Sequence, residues 1–501
     1  MKNTRQIILL IILTITFYIA VFSGFSGYIK SLSIFIYLIT LVSIIYVMML
    51  ENRSPHKSLL WIYALVFFPI IGYIYFIFSG QLEVKGHLFR NKRKHDKELL
   101  ENKTTFKQST NFEKLSDTQQ SLTKLIERYS DNQVSFHTKT SILKNGDETF
   151  SSIKQSIKEA EHYIHLEYYT FRSDVIGQEM IELLSEKSKS GIEVRFIFDA
   201  VGSMSLSKKA IKQMREAGIE VHCFLPVKQG FYNQKINFRN HRKIIVVDGK
   251  VGFVGGLNIG DEYLGKDARY GFWRDTHLKI EGEAIITLQE IFLLDWAYLT
   301  GEKLLNEKYF NVDLVESDGG GTQIISSGPD SSVQGIMSDI YYELLASAKK
   351  SIYIATPYFV PNKAIRTVLS MAAKKGVEIK IIVPEKNDGF LTQYATRSYF
   401  PEMLADDIDV YMYQKGFLHE KVIIIDNKFA SVGTANVDLR SLHLNFEVNA
   451  LLFETESIKD LVKHYQQDIK DSIKINNSTY KNRGLILRTK ESFARLFSPV
   501  L

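Results

Sequence analysis

The sequence holds a single cysteine, Cys223, in 501 residues. Internal disulfides are thereby excluded, and with them zinc or iron–sulfur sites built on thiolates. The lone thiol reads as a small apolar filler. No cluster of cysteine, histidine and carboxylates falls at metal-ligand spacing, so neither a resident metal nor a cofactor is expected. No small-residue cleavage site follows the first apolar run, which argues against a removed signal peptide. Aromatic and basic residues do not interleave around the motifs described below, so the chain lacks a platform for single-stranded nucleic acid. Its mild positive charge, +6, suits an anionic membrane surface instead.

Most long apolar runs fall in residues 1–80. Gln6–Phe25 and Ser31–Leu50 are each long enough to span a bilayer (spans 6–25 and 31–50). The connection Ser26–Lys30 is short enough for a tight helical hairpin. A third run, Ser58–Ser79, is interrupted by Pro69 and Gly72. Lys2 and Arg5 precede the first span, and Arg53 and Lys57 follow the second. The stretch Lys85–Lys97 adds Lys85, Arg90, Lys92, Arg93, Lys94 and Lys97. Positive flanks stay cytoplasmic, so two spans plus a re-entrant or interfacial third segment satisfy all three groups. Three spans with the N-terminus outside is the alternative. The basic stretch is expected to touch anionic headgroups, within a juxtamembrane linker covering 81–130.

From about residue 131 strands alternate with helices, and the order repeats. Tyr163–Phe171, a helix around Ile176–Lys189 and Gly191–Asp199 are matched by Ser351–Phe359, Ala364–Lys375 and Gly376–Pro384. Separations between matched elements drift slowly while the order is kept, which indicates duplication. The expected architecture is α/β: two homologous halves, 131–312 and 322–501, each a mostly parallel sheet with helices on both faces. ESDGGG, within Asp313–Gly321, marks the linker between them.

Each half carries one copy of the same stretch. His241–Asn258 reads HRKIIVVDGKVGFVGGLN, and His419–Asn436 reads HEKVIIIDNKFASVGTAN. With ordinary residue usage, chance matches such a pair of spacings on the order of once in a million, so coincidence is set aside. Ile244–Val247 and Val422–Ile425 are apolar runs suited to buried strands. Alternation along a strand puts His241 with Lys243, and His419 with Lys421, on one face. Asp248 and Asp426 have the opposite parity and begin turn dipeptides, Asp-Gly and Asp-Asn. Lysine therefore reads as a phosphate ligand and aspartate as mainly architectural. The small residues Gly255-Gly256 and Ser431-Val432-Gly433 would let an anion approach the backbone, where Asn258 and Asn436 offer amide donors.

These motifs (within 236–263 and 414–441) resemble the two HxKxxxxD motifs of the phospholipase D superfamily. GGLNIGDEYLG (Gly255–Gly265), FWRDTHLKIEG (Phe272–Gly282), SSGPD (Ser326–Asp330), GFLHEK (Gly416–Lys421) and SVGTANVDLRSLHLNFEVNA (Ser431–Ala450) resemble one branch, the bacterial cardiolipin synthases. The likeness runs over essentially the whole chain. It implies a pseudo-twofold arrangement with one active site at the seam, and acids at Asp275 and Glu447 that hydrogen-bond the histidines. It also implies phosphatidyl transfer between two phosphatidylglycerol molecules, giving cardiolipin and glycerol through a phosphohistidine. His241 would be the nucleophile and His419 the acid and base, although the motif symmetry does not decide between them. Lys243, Lys421, Asn258 and Asn436 would stabilise charge on phosphate. The implied location is the cell membrane, catalytic halves cytoplasmic, against anionic lipids and not nucleic acid. A hydrolytic phospholipase D yielding phosphatidate is the nearest alternative. The apolar spacing of Glu491–Leu501 predicts a terminal helix docked on the core rather than on lipid.

Overall fold

The computed structural model describes residues 2–25, 27–49, 55–76, 88–101, 116–130, 132–227, 235, 237–316, 320–331 and 335–498. Ser26, Arg53, Lys85, residues 77–79, 317–319 of the linker and the last three residues of the chain lie outside them. They fall in two compact units, Met1–Arg90 with Lys228–Ile236, and Asn91–Val227 with Asn237–Leu501.

The first unit is helical: Lys2–Phe22, Gly27–Met49, Pro55–Phe67 and Pro69–Tyr75. Gly27–Met49 has 23 residues, about 35 Å at 1.5 Å each, enough to cross a hydrocarbon core of about 30 Å. The apolar part of the preceding helix, Ile7–Phe22, is shorter. Pro69 opens the fourth helix at its first turn, where a missing N–H costs nothing; this is the break expected in the third apolar run. Leu13, Ile44, Met48, Leu65 and Tyr73 form a small core. Ile11, Ile15, Phe35 and Val42 face outward.

The second unit holds both halves. The first contributes β1 (Thr138–Lys144), β2 (Tyr163–Tyr168), β3 (Glu193–Asp199), β4 (Glu220–Phe224), β5 (Lys243–Val247), β6 (Val251–Gly255), β7 (Phe272–Arg274) and β8 (Thr276–Gly282). The second contributes β9 (Gly321–Ser327), β10 (Ser351–Ala355), β11 (Phe359–Val360), β12 (Glu378–Pro384), β13 (Asp409–Tyr413), β14 (Gly416–Leu418), β15 (Val422–Ile425), β16 (Phe429–Gly433), β17 (Val437–Asp438), β18 (Glu447–Phe453) and β19 (Ser472–Lys474). Among the described residues the main sheets run β1-β8-β6-β5-β2-β3-β4 and β19-β13-β12-β10-β15-β16-β18-β9.

These sheets are mixed, which corrects the expectation of mostly parallel ones. Only β2-β3-β4 and β10-β12-β13 are parallel runs. The motif strands β5-β6 and β15-β16 pair antiparallel, as do their neighbours. The reason is local. Asp248 and Gly249, like Asp426 and Asn427, have positive φ (53° and 68°; 53° and 55°). That is the two-residue turn that folds a strand straight back on itself. β5 and β15 are buried along their whole length.

The halves meet where β6 and β8 pack against β16 and β18. Two short parallel pairings stitch them: β7 with β14, aligning Leu418 with Arg274, and Asn240 with Phe446.

Residues 81–130, expected as a linker, hold two helices built into this unit. Leu122 and Ile126, on the helix Asp117–Ser130, join the apolar core of the second half. On the helix Arg90–Glu101, Lys92 is not a headgroup contact. It is buried, with Nζ 2.8 Å from Asp96, 3.0 Å from Asp295 and 2.7 Å from Asp330. Burial works against its charge, but the three carboxylates outweigh that and hold its pKa well above the ordinary value. Arg93 Nε donates to the Asp330 carbonyl at 2.8 Å. Lys94 and Lys97 remain exposed.

Removing one partner from a buried ion cluster typically costs about 3–5 kcal/mol. Lys92→Met is therefore expected to lower the thermal unfolding midpoint of the full chain by several degrees. Lys94→Met, on the exposed face, should leave it unchanged. Equal midpoints for the two variants would show that the cluster does not stabilise the fold.

Candidate active site

His241 and His419 each lie just before a motif strand. Each is positioned by the opposite half. The His241 N–H donates to the Phe446 carbonyl at 2.9 Å, and the His419 N–H to the Arg274 carbonyl at 2.7 Å. The residues that follow those carbonyls are Glu447 and Asp275, and each meets the imidazole so delivered. His241 Nδ1 is 2.9 Å from Glu447 Oε2, and His419 Nδ1 is 2.7 Å from Asp275 Oδ2. The acids thus cross over, each serving the histidine of the other copy.

Both carboxylates are fully buried. For Asp275, burial disfavours ionisation, but Lys421 and His419 outweigh it and hold the pKa below the ordinary carboxylate value. For Glu447, His241 and Lys243 do the same. The Nδ1 proton of each neutral ring then points at an anion, and the lone pair sits on Nε2. Burial, with help from Lys243 and Lys421, brings His241 down to about 4. Burial and Lys421 bring His419 down to about 3. Both rings are neutral near pH 7 in the free site.

Lys243 and Lys421 share the seam. Lys243 Nζ donates to the His241 carbonyl at 2.8 Å and lies 5.5 Å from the centre of the Tyr169 ring. Lys421 Nζ lies 2.9 Å from Nδ1 and 3.0 Å from Nε2 of His419. Burial, with repulsion from Lys421, lowers Lys243 to about 7. Burial lowers Lys421 to about 8. Two desolvated ammonium groups without a full complement of acceptors make a site for an anion. The copies are not equivalent: Lys421 covers Nε2 of His419, whereas Nε2 of His241 has no hydrogen-bond partner among the described residues.

The motif aspartates lie away from the histidines. Asp248 and Asp426 sit at the far ends of β5 and β15, about 20 Å along the strand from the histidines. Asp248 accepts from the N–H groups of Glu161, His162 and Tyr163 at 2.7, 2.9 and 2.7 Å. Asp426 accepts from Lys349, Lys350 and Ser351 at 2.9, 2.7 and 2.8 Å. They clip the hairpin to the start of β2 or β10. Asn258 accepts from the Thr170 N–H at 3.1 Å and donates to the Tyr263 hydroxyl at 2.8 Å. Asn436 is buried, and its Oδ1 has no partner among the described residues. The small residues after the turn also have another cause than an approaching anion. A Cβ at Gly256 would stand 2.0 Å from Asp275 Oδ1.

Several neighbours were not picked out from sequence. The Tyr169 ring meets His241 edge-on, centroids 4.9 Å apart. Trp273 packs 5.0 Å from His419, and its Nε1 donates to Asp275 at 3.4 Å. The Thr434 hydroxyl donates to Glu447. Buried Arg242 pairs with Asp295, and buried Arg274 pairs with Glu420 and Asp468. Trp273 and Thr434 fall inside quoted segments, so a signal was present for them. Tyr169 carries none beyond its place at a strand end.

Comparison with known proteins bears on this geometry. The family described as cardiolipin synthase, PLD-like domain, matches residues 153–287 and again 341–469. A probable cardiolipin synthase of Bacillus subtilis is 51% identical over 457 residues, 91% of each chain. A cardiolipin synthase of Halalkalibacterium halodurans is 46% identical over 504 residues, the full length of both chains. The chain belongs to the cardiolipin synthase family. Among solved structures, phosphatidylserine synthase of Haemophilus influenzae superposes with a TM-score of 0.57 at 12% identity, covering 77% of this chain and all of that one. That likeness speaks for the fold. In this cardiolipin synthase family member the two matched segments hold both histidines, both lysines and both acids.

Glu447→Gln and Asp275→Asn keep size but lose the charge that orients each ring. Each is expected to lower kcat by roughly 10²–10⁴ with a near-native unfolding midpoint, checked by turnover and thermal melts on the same samples. The pH dependence follows from the lysines. Their charge is present below about 7 to 8 and lost above, so kcat/KM should decline as pH rises through that window. Lys243→Arg stays charged and should move the alkaline limb upward in whatever activity remains; an unmoved limb would mean that Lys243 does not set it.

Proposed function

We propose that this chain is a membrane-bound phosphatidyltransferase that makes cardiolipin from two molecules of phosphatidylglycerol. The observation that carries the reading is one buried seam holding two neutral imidazoles, each with its own carboxylate, beside two desolvated lysines. Such a set suits in-line displacement at a phosphodiester, once from each side.

His241 Nε2 attacks phosphorus of the donor lipid. His419 takes up a proton on Nε2 when the phosphodiester anion binds beside it, the bond from phosphorus to the departing glycerol oxygen breaks, and that proton passes to the oxygen. The phosphatidyl group is then held on His241. The hydroxyl of the second phosphatidylglycerol loses its proton to His419 and attacks phosphorus. The P–N bond breaks, and cardiolipin leaves. Splitting one displacement into two is covalent catalysis, and the lysine charges answer the charge that develops on the equatorial oxygens. The uncovered Nε2 of His241 supports its assignment as nucleophile. Lys421 beside Nε2 of His419 supports the other role, since an entering phosphodiester offers Lys421 a better partner and frees that nitrogen. Asn258 and Asn436 are assigned, from their place in the repeated motif, to supporting charge on the phosphate. A multi-pass anchor holds the enzyme in the membrane, against anionic lipid and with the catalytic halves on the cytoplasmic side; the Lys and Arg flanks support this.

Purified full-length protein on phosphatidylglycerol vesicles is expected to release cardiolipin and glycerol in equal amounts. Phosphatidate as the main product would assign hydrolysis instead. His241→Ala and His419→Ala should each abolish turnover, and the double variant should be no worse, because groups acting as one unit are not additive. EDTA should leave the rate unchanged; loss on chelation with recovery on adding one divalent ion would contradict the lysine-based mechanism.

A further inference from the structure

The last helix, Leu485–Arg495, has two different faces. One is seated on the protein. Glu491 and Ala494 are buried, and Glu491 accepts from the Tyr480 hydroxyl at 2.6 Å and from Arg483 Nε at 2.8 Å. Arg495 donates to the Ser398 carbonyl at 3.1 Å, and its guanidinium lies 4.3 Å from the centre of the Tyr399 ring. The helix thereby docks on the helix Phe390–Ser398, as its sequence predicted.

The other face is apolar and open. At 100° per residue, Leu485, Leu496, Phe493, Ile486 and Phe497 fall within an arc of about 120°. Their exposures are 77%, 75%, 52%, 75% and 36%. Large apolar side chains gathered on one open face, unlike singly scattered ones, mark a contact surface. Arg488 and Lys490, both exposed, flank the stripe on its two sides. The helix's one acid, Glu491, is buried and paired on the docked side. Phe390, on the supporting helix, is also exposed at 53% and packs on Tyr394. Two residues before it, Asp388 accepts from the Tyr358 hydroxyl and acts electrostatically on Lys421. Lys490 Nζ lies 5.5 Å from the centre of the Tyr394 ring, which ties this ring to the helix.

We propose that the outer face of this terminal helix is a membrane-docking surface that lies in the interfacial layer of an anionic bilayer. An apolar stripe bordered by cations and free of exposed acid matches lipid tails beneath a negative headgroup layer. A second copy of the chain fits less well, since a twofold contact along the stripe would set Arg488 and Lys490 against their own counterparts. The proposal rests on the lipid-substrate reading only for its purpose: it sets the surface near Asp388 at headgroup depth.

The test uses the full chain with Cys223→Ser and Thr489→Cys, which puts a fluorescent label at the centre of the stripe. The protein is reconstituted in phosphatidylglycerol vesicles, in phosphatidylcholine vesicles and in detergent. Expected is quenching by lipids carrying a shallow nitroxide, with protection from aqueous iodide, stronger in phosphatidylglycerol than in phosphatidylcholine. A label that stays open to iodide in phosphatidylglycerol vesicles overturns the proposal. So does equal protection in the two lipids, or protection in detergent together with doubled particle mass, which would assign the face to a second copy. In parallel, Ile486→Asp with Phe493→Asp changes exposed positions only. Expected is turnover several-fold lower on vesicles and unchanged on a soluble short-chain phosphodiester; unchanged turnover on both overturns the proposal. If neither substrate is turned over even by the unaltered chain, the transfer reading fails, and the label still decides the docking.

Discussion

The seam depends on two carboxylates that each serve a histidine in the opposite half. Asp275 and Glu447 are fully buried, and a buried charge persists only when it is paired and hydrogen-bonded. Each has hydrogen-bond donors in its own half but finds its imidazole in the other. The apolar contact between the sheets brings the halves together, but the crossed pairs fix how they meet. A shift of one residue in the β7–β14 pairing would carry His419 away from Asp275 and turn alternate side chains to the wrong face.

The same electrostatics prepare the site for its ligand. Two ammonium groups have been taken out of water and given too few acceptors, so each holds its proton less firmly than a surface lysine. Two imidazoles stand beside them uncharged. In the proposed reaction a phosphodiester anion would supply the missing negative charge and so strengthen the lysines' hold on their protons. Buried arginines behind the site, Arg242 and Arg274, brace the backbone beside each histidine through ion pairs with Asp295 and with Asp468. Lys92 joins Asp295 from the other side, so one carboxylate braces both the motif and a helix that precedes the first half.

What could be read from the sequence was local. The repeated stretch and its hairpin turn depend on residues within a few positions of one another, and the structure has them as expected, although both histidines, and Lys421 with them, lie before the strands rather than in them. The order of strands and helices in both halves was readable for the same reason. What could not be read needed the third dimension. The alternation of strands and helices suggested parallel sheets, yet the Asp-Gly turn already implied an antiparallel pair, and the turn prevails because it leaves the chain no length for a crossover. Lys92 looked like a surface cation because its acids, Asp295 and Asp330, lie far away in the chain. Gly256 suggested an anion's approach, but the close neighbour is a carboxylate from the adjacent strand. The crossing of the acids had no local signal, since spacing from a histidine says nothing about which half it faces.

The crossing also bears on when the chain acquires its chemistry. Glu447 follows His241 by 206 residues. While the first half is complete and the second is still being made, His241 has no carboxylate to orient it, and Asp275 has no imidazole to receive it. The crossed pairs thus form last, when both halves have closed on each other, and a chain broken off before Glu447 keeps His241 without the carboxylate that orients it.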